Sequence, residues 1–166
     1  MLINYIFVDT NIWHYAYVTP SKEDFKQIHT FSLEFLSKIL QNDDIEIAIT
    51  TYQIAEIMDI LRKQSMTIPE REMVFNLFKT DKFFIVDITF EIIELCFRKS
   101  LASNIHIYDY LVALPLKGIV TEIYSADDHF QHPDFKEIAP VTNPLHPWIL
   151  REGRIPVHPV RNSVTR

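Results

Sequence analysis

Four acids stand where this chain could gather ligand chemistry. Asp9 closes the apolar run Tyr5-Ile6-Phe7-Val8, Glu56 lies within a helical pattern, Asp109 opens another, and Asp127 follows a later apolar segment. Carboxylates brought to one rim repel one another, which raises some of their pKa values, and one or two divalent cations would relieve that repulsion. Oxygen-only ligands favour magnesium or manganese. Such an ion acidifies a bound water, polarises a phosphoryl oxygen and steadies a leaving group, which are the requirements of phosphodiester hydrolysis. Each acid also has a plain explanation. Asp9 and Asp127 suit turns or helix caps, Glu56 suits a solvated helix face, and Asp109 suits the positive end of a helix dipole. The set therefore carries more than any member.

The elements that must position these acids follow from hydrophobic periodicity. Tyr5-Ile6-Phe7-Val8 reads as a strand buried on both faces, and a strand-end acid sits where open parallel sheets keep their ligand sites. Thr10 or Asn11 would cap a short helix through Tyr17. Phe25, Ile28, Phe31, Phe35, Leu36 and Ile39 recur at helical spacing until Gln41-Asn42-Asp43-Asp44 ends the helix. Ile45 to Ile49 predicts a second strand, and Thr50 or Thr51 opens the helix that carries Glu56. Thr67 and Pro69 start a further helix to about Lys79, and Phe83-Phe84-Ile85-Val86 is a short apolar strand. Helices are expected from Thr89 to about Ala102 and from Asp109 to about Lys117, the latter kinked or ended by Pro115. A strand falls within Ile119–Ser125, interrupted by Glu122. Helices that repeatedly separate strands predict an α/β fold, three layers α/β/α about a mostly parallel sheet.

Composition sets limits. The 166 residues, 48% hydrophobic, suffice for one domain with a substantial core. Two glycines, Gly118 and Gly153, leave no dinucleotide fingerprint and no phosphate-cradling glycine loop. The lone Cys96 excludes an intramolecular disulfide and a cysteine-rich zinc site, and reads as a small core residue. No long apolar segment or secretory signal pattern occurs, so a cytoplasmic protein without membrane contact is expected. The net charge is −6, unevenly distributed. Residues 145–166 hold Arg151, Arg154, Arg161 and Arg166 against Glu152 alone, so the tail is +3 and the body −9. Its prolines make residues 144–166 an extended arm with disordered extremities beyond a domain of residues 1–143. Trp148, Ile149 and Leu150 should pack on the body or on another subunit.

Four segments in order, Phe7-Val8-Asp9-Thr10-Asn11, Gln53-Ile54-Ala55-Glu56-Ile57, Asp109-Tyr110-Leu111-Val112-Ala113 and Tyr124-Ser125-Ala126-Asp127-Asp128-His129-Phe130, resemble the PIN-domain family of metal-dependent ribonucleases. The resemblance spans roughly residues 3–143 and is nearest to the compact prokaryotic members, which include VapC-type toxins. It implies that Asp9, Glu56, Asp109 and Asp127 surround a magnesium or manganese site, with Asn11 and Ser125 orienting ligands or water from its edge. It further implies endonucleolytic RNA cleavage by in-line attack of water, leaving a 5′-phosphate and a 3′-hydroxyl, and an antitoxin or other regulatory protein as partner. A homo-oligomer, most simply a dimer, is expected. Asp128 rivals Asp127, but Ser125-x-Asp127-x-x-Phe130 fits the family spacing and turns Phe130 inward. Leu114-Pro115-Leu116 replaces the small residues usual among toxin members.

Two rival functions are compatible with these residues. One is an aspartate-based phosphohydrolase or phosphoacceptor domain using Asp9, which Asn11 disfavours by standing where a second acid would help. The other is a non-catalytic scaffold that binds RNA or protein. Substrate contacts are expected from His14, Arg62, Lys63, Tyr108 and Tyr110, the tyrosines by stacking on an unpaired base. Asp59 is read as the helical partner of Lys63. His129, His132, His146 and His158 are irregularly spaced among prolines and read as surface residues.

Overall fold

The computed structural model describes residues 3–151 and 154–159. Five strands form one wholly parallel sheet, β1 (Asn4–Val8), β2 (Ile45–Thr50), β3 (Phe83–Val86), β4 (Glu122–Tyr124) and β5 (Val141–Thr142), in the order β3-β2-β1-β4-β5. Seven helices are described: α1 (Thr10–Tyr17), α2 (Lys26–Leu40), α3 (Thr51–Lys63), α4 (Ile68–Leu77), α5 (Phe90–Ser103), α6 (Ile107–Ala113) and α7 (Pro133–Lys136).

Alternate strand residues enter different cores because successive side chains leave opposite faces of a strand. Ile6, Val8, Ile47 and Ile49 pack with α1 to α4 residues such as Trp13, Ile28, Leu36, Ile57 and Leu61. Phe7, Ala48 and Ile123 pack on the other face with Cys96, Tyr110, Leu116, Phe130 and Phe135. The sheet is thus covered twice, as the near-continuous apolar strands required.

Local chemistry explains most boundaries. The Thr50 hydroxyl accepts the Gln53 N–H and caps α3, and Thr67 with Glu70 forms a capping box on α4. Pro115 ends α6 at Ala113, and the chain continues as a 3-10 turn over Leu114–Leu116. β4 keeps Glu122 at its start, paired in register with Ile6, while Ile123 is buried. β5 has no apolar run of its own, and only its pairing with β4 makes it a strand.

The arm beyond Thr142 packs on the body of the same chain. Leu145, Trp148 and Leu150 are buried in the core beside α1 and α2. Trp148 Nε1 donates to Gln27 Oε1 at 3.0 Å, Asn143 Nδ2 donates to the Trp148 carbonyl, and the Leu150 N–H donates to the Ala126 carbonyl. Three such apolar side chains stabilise the attachment by roughly 1.5–3 kcal/mol each. Arg161 and Arg166, with the arm's end, lie outside the described residues.

Candidate metal centre

The strand order reverses beside β1. The chain runs from β1 to β2 and β3 on one side, then returns to place β4 and β5 on the other. In such sheets the crevice beyond the carboxyl ends of the strands at this switch point is where ligands bind. Asp9 follows β1, and Ser125, Ala126 and Asp127 follow β4, so the two strand ends flank that crevice.

Asp9 is 5% exposed and is held by its neighbours on β4. Its N–H donates to the Tyr124 carbonyl at 2.9 Å, and the Ser125 hydroxyl donates to its Oδ2 at 2.7 Å. The same Ser125 oxygen accepts the Asp127 N–H at 3.1 Å. Ser125 therefore fixes two acids relative to each other. Asp9 occupies the cap position of α1 in place of Thr10 or Asn11, without a side-chain cap bond, because its carboxylate is turned to Ser125.

Helix α3 is joined to β1 by a residue whose role the sequence did not reveal. Gln53, fully buried, donates through Nε2 to the Val8 carbonyl at 2.8 Å and to Thr10 Oγ1 at 3.3 Å. Thr10 Oγ1 donates in turn to Glu56 Oε2 at 2.6 Å. Glu56 lies three residues after Gln53 on the same helical face, so one helix turn carries both the anchor and the acid.

Asp109 is the third residue of α6. That helix is pinned from behind by Tyr110, whose hydroxyl bonds Ser103 at 2.8 Å and Asp134 at 2.7 Å. Asp127 accepts the His129 N–H at 2.9 Å and caps a 3-10 turn over Asp128–Gln131. This bond keeps the His129 ring in the centre, with Nδ1 3.0 Å from Asp109 Oδ2 and 3.9 Å from Asp127 Oδ1. One ligand atom from each of Asp109, Asp127 and His129 lies within 4.8 Å of the others. The surface reading of His129 is corrected. The available signal was its place two residues after a capping Asp, which ties its backbone to that carboxylate.

The electrostatics match the crowding. Asp9 is held well above the usual carboxylate range, first by burial, then by Asp127, with Ser125 opposing and Asp109 and Glu56 adding repulsion. Asp127 is pushed up to about 6, chiefly by burial, against the His129 N–H and with repulsion from Asp109. Asp128 behaves oppositely. Arg151 of the arm forks onto it through Nε and Nη2 and holds its pKa down against a partial burial that raises it. The ligand atoms brought within reach of one another are those of Asp109, Asp127 and His129, while Asp9 and Glu56 are linked to them through the repulsion felt at Asp9. Carboxylate oxygens are donors that suit a hard divalent cation. His129 adds a nitrogen, which suits manganese better than magnesium.

The remaining expected contacts separate. Asn11 and His14 on α1 line a cleft beside the centre with Lys63. Arg62 and Lys63 are exposed and both pair with Asp59, at 2.8 Å each. Tyr108 is half exposed and stacks on Tyr52 with ring centroids 5.7 Å apart. Tyr110 differs from the expectation. Its ring is buried against Phe135 and its hydroxyl is bonded to the interior, so it faces no base. Cys96 is buried and unbridged, as a core residue should be.

A doubly covered parallel sheet with carboxylates at its switch point is an α/β/α architecture of the kind expected from the four motifs. No family model and no curated protein matches the chain. Solved structures do. A chain from the crystal structure of VapBC2 of Rickettsia felis, bound to a DNA fragment from their promoter, matches over 84% of this chain and 98% of that one, with TM-score 0.53 and 17% identity. VapC20 of Mycobacterium tuberculosis, a toxin that cleaves the sarcin-ricin loop, matches over 80% and 98%, with TM-score 0.60 and 12% identity. The chain has the fold of VapC toxins, in agreement with the PIN-type architecture that its four motifs imply.

Proposed function

We propose that this protein is a metal-dependent endoribonuclease, the toxin member of a toxin–antitoxin pair. The observation that carries the reading is the surroundings of Asp9: the groups that act on its charge are three further carboxylates, Asp127, Asp109 and Glu56, and one hydroxyl, Ser125. A fold gains nothing in stability by crowding buried acids without cations, whereas a metal site requires it. Asp9, Glu56, Asp109 and Asp127 would hold one or two magnesium or manganese ions, which when bound acidify water and polarise a phosphoryl oxygen.

The chain's own groups do the positioning. Ser125 sets the Asp9 carboxylate, Thr10 sets Glu56, and the His129 backbone sets Asp127. RNA is the substrate class that the VapC likeness supports, and the VapBC2 pair supports an antitoxin as partner. Among the described residues no helix is long and apolar enough to cross a membrane.

The test is incubation of the purified chain with single-stranded RNA and manganese, beside Asp9→Asn and Asp109→Asn. Cleavage that needs manganese and falls by at least about 100-fold in both variants is expected, a larger loss than that of residues which merely orient a ligand. Absence of both metal binding and cleavage in the parent chain would overturn the reading.

A further inference from the structure

The cations of this acidic chain are not spread evenly around the crevice. A cleft of about 370 Å3 opens beside the acidic centre, between α1, the end of α3 and the arm. Asn11 and His14 form one wall, Lys63 and Gln64 another, and Arg151 and Arg154 the third. Asn11 is two residues from Asp9, and Arg151 is forked onto Asp128, the neighbour of Asp127. One end of the cleft therefore adjoins the segments that carry Asp9 and Asp127.

The arm is built to hold its arginines there. Leu145, Trp148 and Leu150 bury it in the core, and the Leu150 N–H bond to Ala126 delivers Arg151 to the Asp127-Asp128 turn. Ile149 and Val157 exchange backbone hydrogen bonds at 2.9 and 3.0 Å, which turns the chain back and leaves Arg154 over the cleft. Arg154 is exposed and makes no ion pair among the described residues, and Asp59 steadies Lys63 from outside. Burial lowers the His14 pKa, so at neutral pH its ring offers hydrogen bonds rather than charge.

A polyanion approaching four carboxylates is repelled unless cations meet its neighbouring phosphates. Phosphate contacts of this kind set position and carry no sequence information. We propose that the arm completes the substrate site: Arg154 and Lys63 bind the backbone phosphate of single-stranded RNA next to the scissile one, with Arg151 held on Asp128 at the third wall and Asn11 and His14 as polar walls. This inference rests on the ribonuclease reading and extends it to residues outside the four motifs.

The experiment measures binding of a fluorescein-labelled single-stranded RNA to the full chain in chelator over a range of salt. The parent chain is compared with Arg154→Ala, Lys63→Ala, their double variant, and a Lys38→Ala/Lys117→Ala control that removes two exposed lysines outside the cleft, in the last turn of α2 and before β4. The double variant should bind about tenfold more weakly at low salt, with a salt slope smaller by about 0.7 per lost contact. Its manganese-induced rise in melting temperature should equal that of the parent, and the control should keep the parent's slope. Unchanged affinity and slope in the double variant, while the parent binds and cleaves RNA, overturn the inference and leave the ribonuclease reading standing. An equal loss in the control also overturns it, as an effect of net charge. A parent chain that binds manganese but neither binds nor cleaves RNA overturns both.

Discussion

Two pairs of aspartates in this chain show opposite electrostatics. Asp9 and Asp127, in the crevice, are held above the usual carboxylate range, each first by burial, Asp9 then by Asp127, and Asp127, against the His129 N–H, by Asp109 and Asp128. Asp128 and Asp134, a few residues along the chain, are held below it. Arg151 forks onto Asp128, and Asp134, against a burial that raises it, accepts the Tyr110 hydroxyl and pairs with Lys99 at 3.0 Å. The lower pair is satisfied and structural. The upper pair is buried among further carboxylates that disfavour its charge, which is the condition a divalent cation would relieve.

The sharpest way to break this contrast is to neutralise one member of each kind. Asp127→Asn should reduce manganese-dependent RNA cleavage by at least about 100-fold, whereas Asp128→Asn, which loses only the Arg151 fork, should stay within about tenfold of the parent. Rates on one RNA at saturating manganese decide it. Equal losses would erase the distinction between neighbours.

Metal-free stability provides a second contrast, with a defined sign. The folded Asp127, with its pKa near 6, binds a proton more tightly than an unfolded Asp near 3.9. The stability it contributes is complete below about pH 4 and is lost as pH rises through about 6. In chelator, Asp127→Asn should therefore be more stable than the parent at pH 7.5 by on the order of 2–3 kcal/mol, the equivalent of a two-unit shift. Thermal melts at pH 5 and pH 7.5 check this, and added manganese should raise the parent's melting temperature most at the higher pH. A parent that is no less stable than the variant at pH 7.5 would contradict the strained state of the crevice.

His129 tests where the crevice ends. His129→Ala should weaken manganese binding by about tenfold while affecting magnesium less, because a nitrogen donor favours the former. Titration calorimetry with each ion measures it. If His129 merely pairs with Asp109, both ions will bind alike. The smallest effect belongs to the structural pair. Asp134→Asn should destabilise the fold by about 1 kcal/mol at pH 7, since Lys99 is partly solvated, and leave metal binding intact. A folded pKa below the unfolded value gives stability above that unfolded value which is lost in acid, so the variant's deficit should shrink below about pH 4.

The readable part of the molecule is the part governed by local pattern. Strand alternation into two cores, the Thr50 and Thr67 caps and the helix break at Pro115 all arise within a few residues of one another, as does the pairing of Asp59 with Lys63. β5 was not readable, because two residues carry no periodicity and only the edge of β4 makes them a strand. Gln53 stood inside a recognisable motif, yet nothing in its type announced that it bonds the end of β1 across 45 positions. Tyr110, beside Asp109, looked as accessible as Tyr108, and only the core around Phe135 separates them.

By itself the sequence determined the alternation of strands and helices, the chemistry available at Asp9, Glu56, Asp109 and Asp127, and the concentration of arginine in the tail. Those follow from residue type and short-range spacing. The tertiary structure alone decided that Asp128 belongs to Arg151, that His129 joins Asp109, and that the arm returns to the mouth of the crevice. Each of those outcomes turns on which of several equally plausible partners lies within hydrogen-bond reach. That reach is set by the packing of Trp148 and Leu150 and by the strand order, contacts between residues distant in the chain for which no local pattern exists.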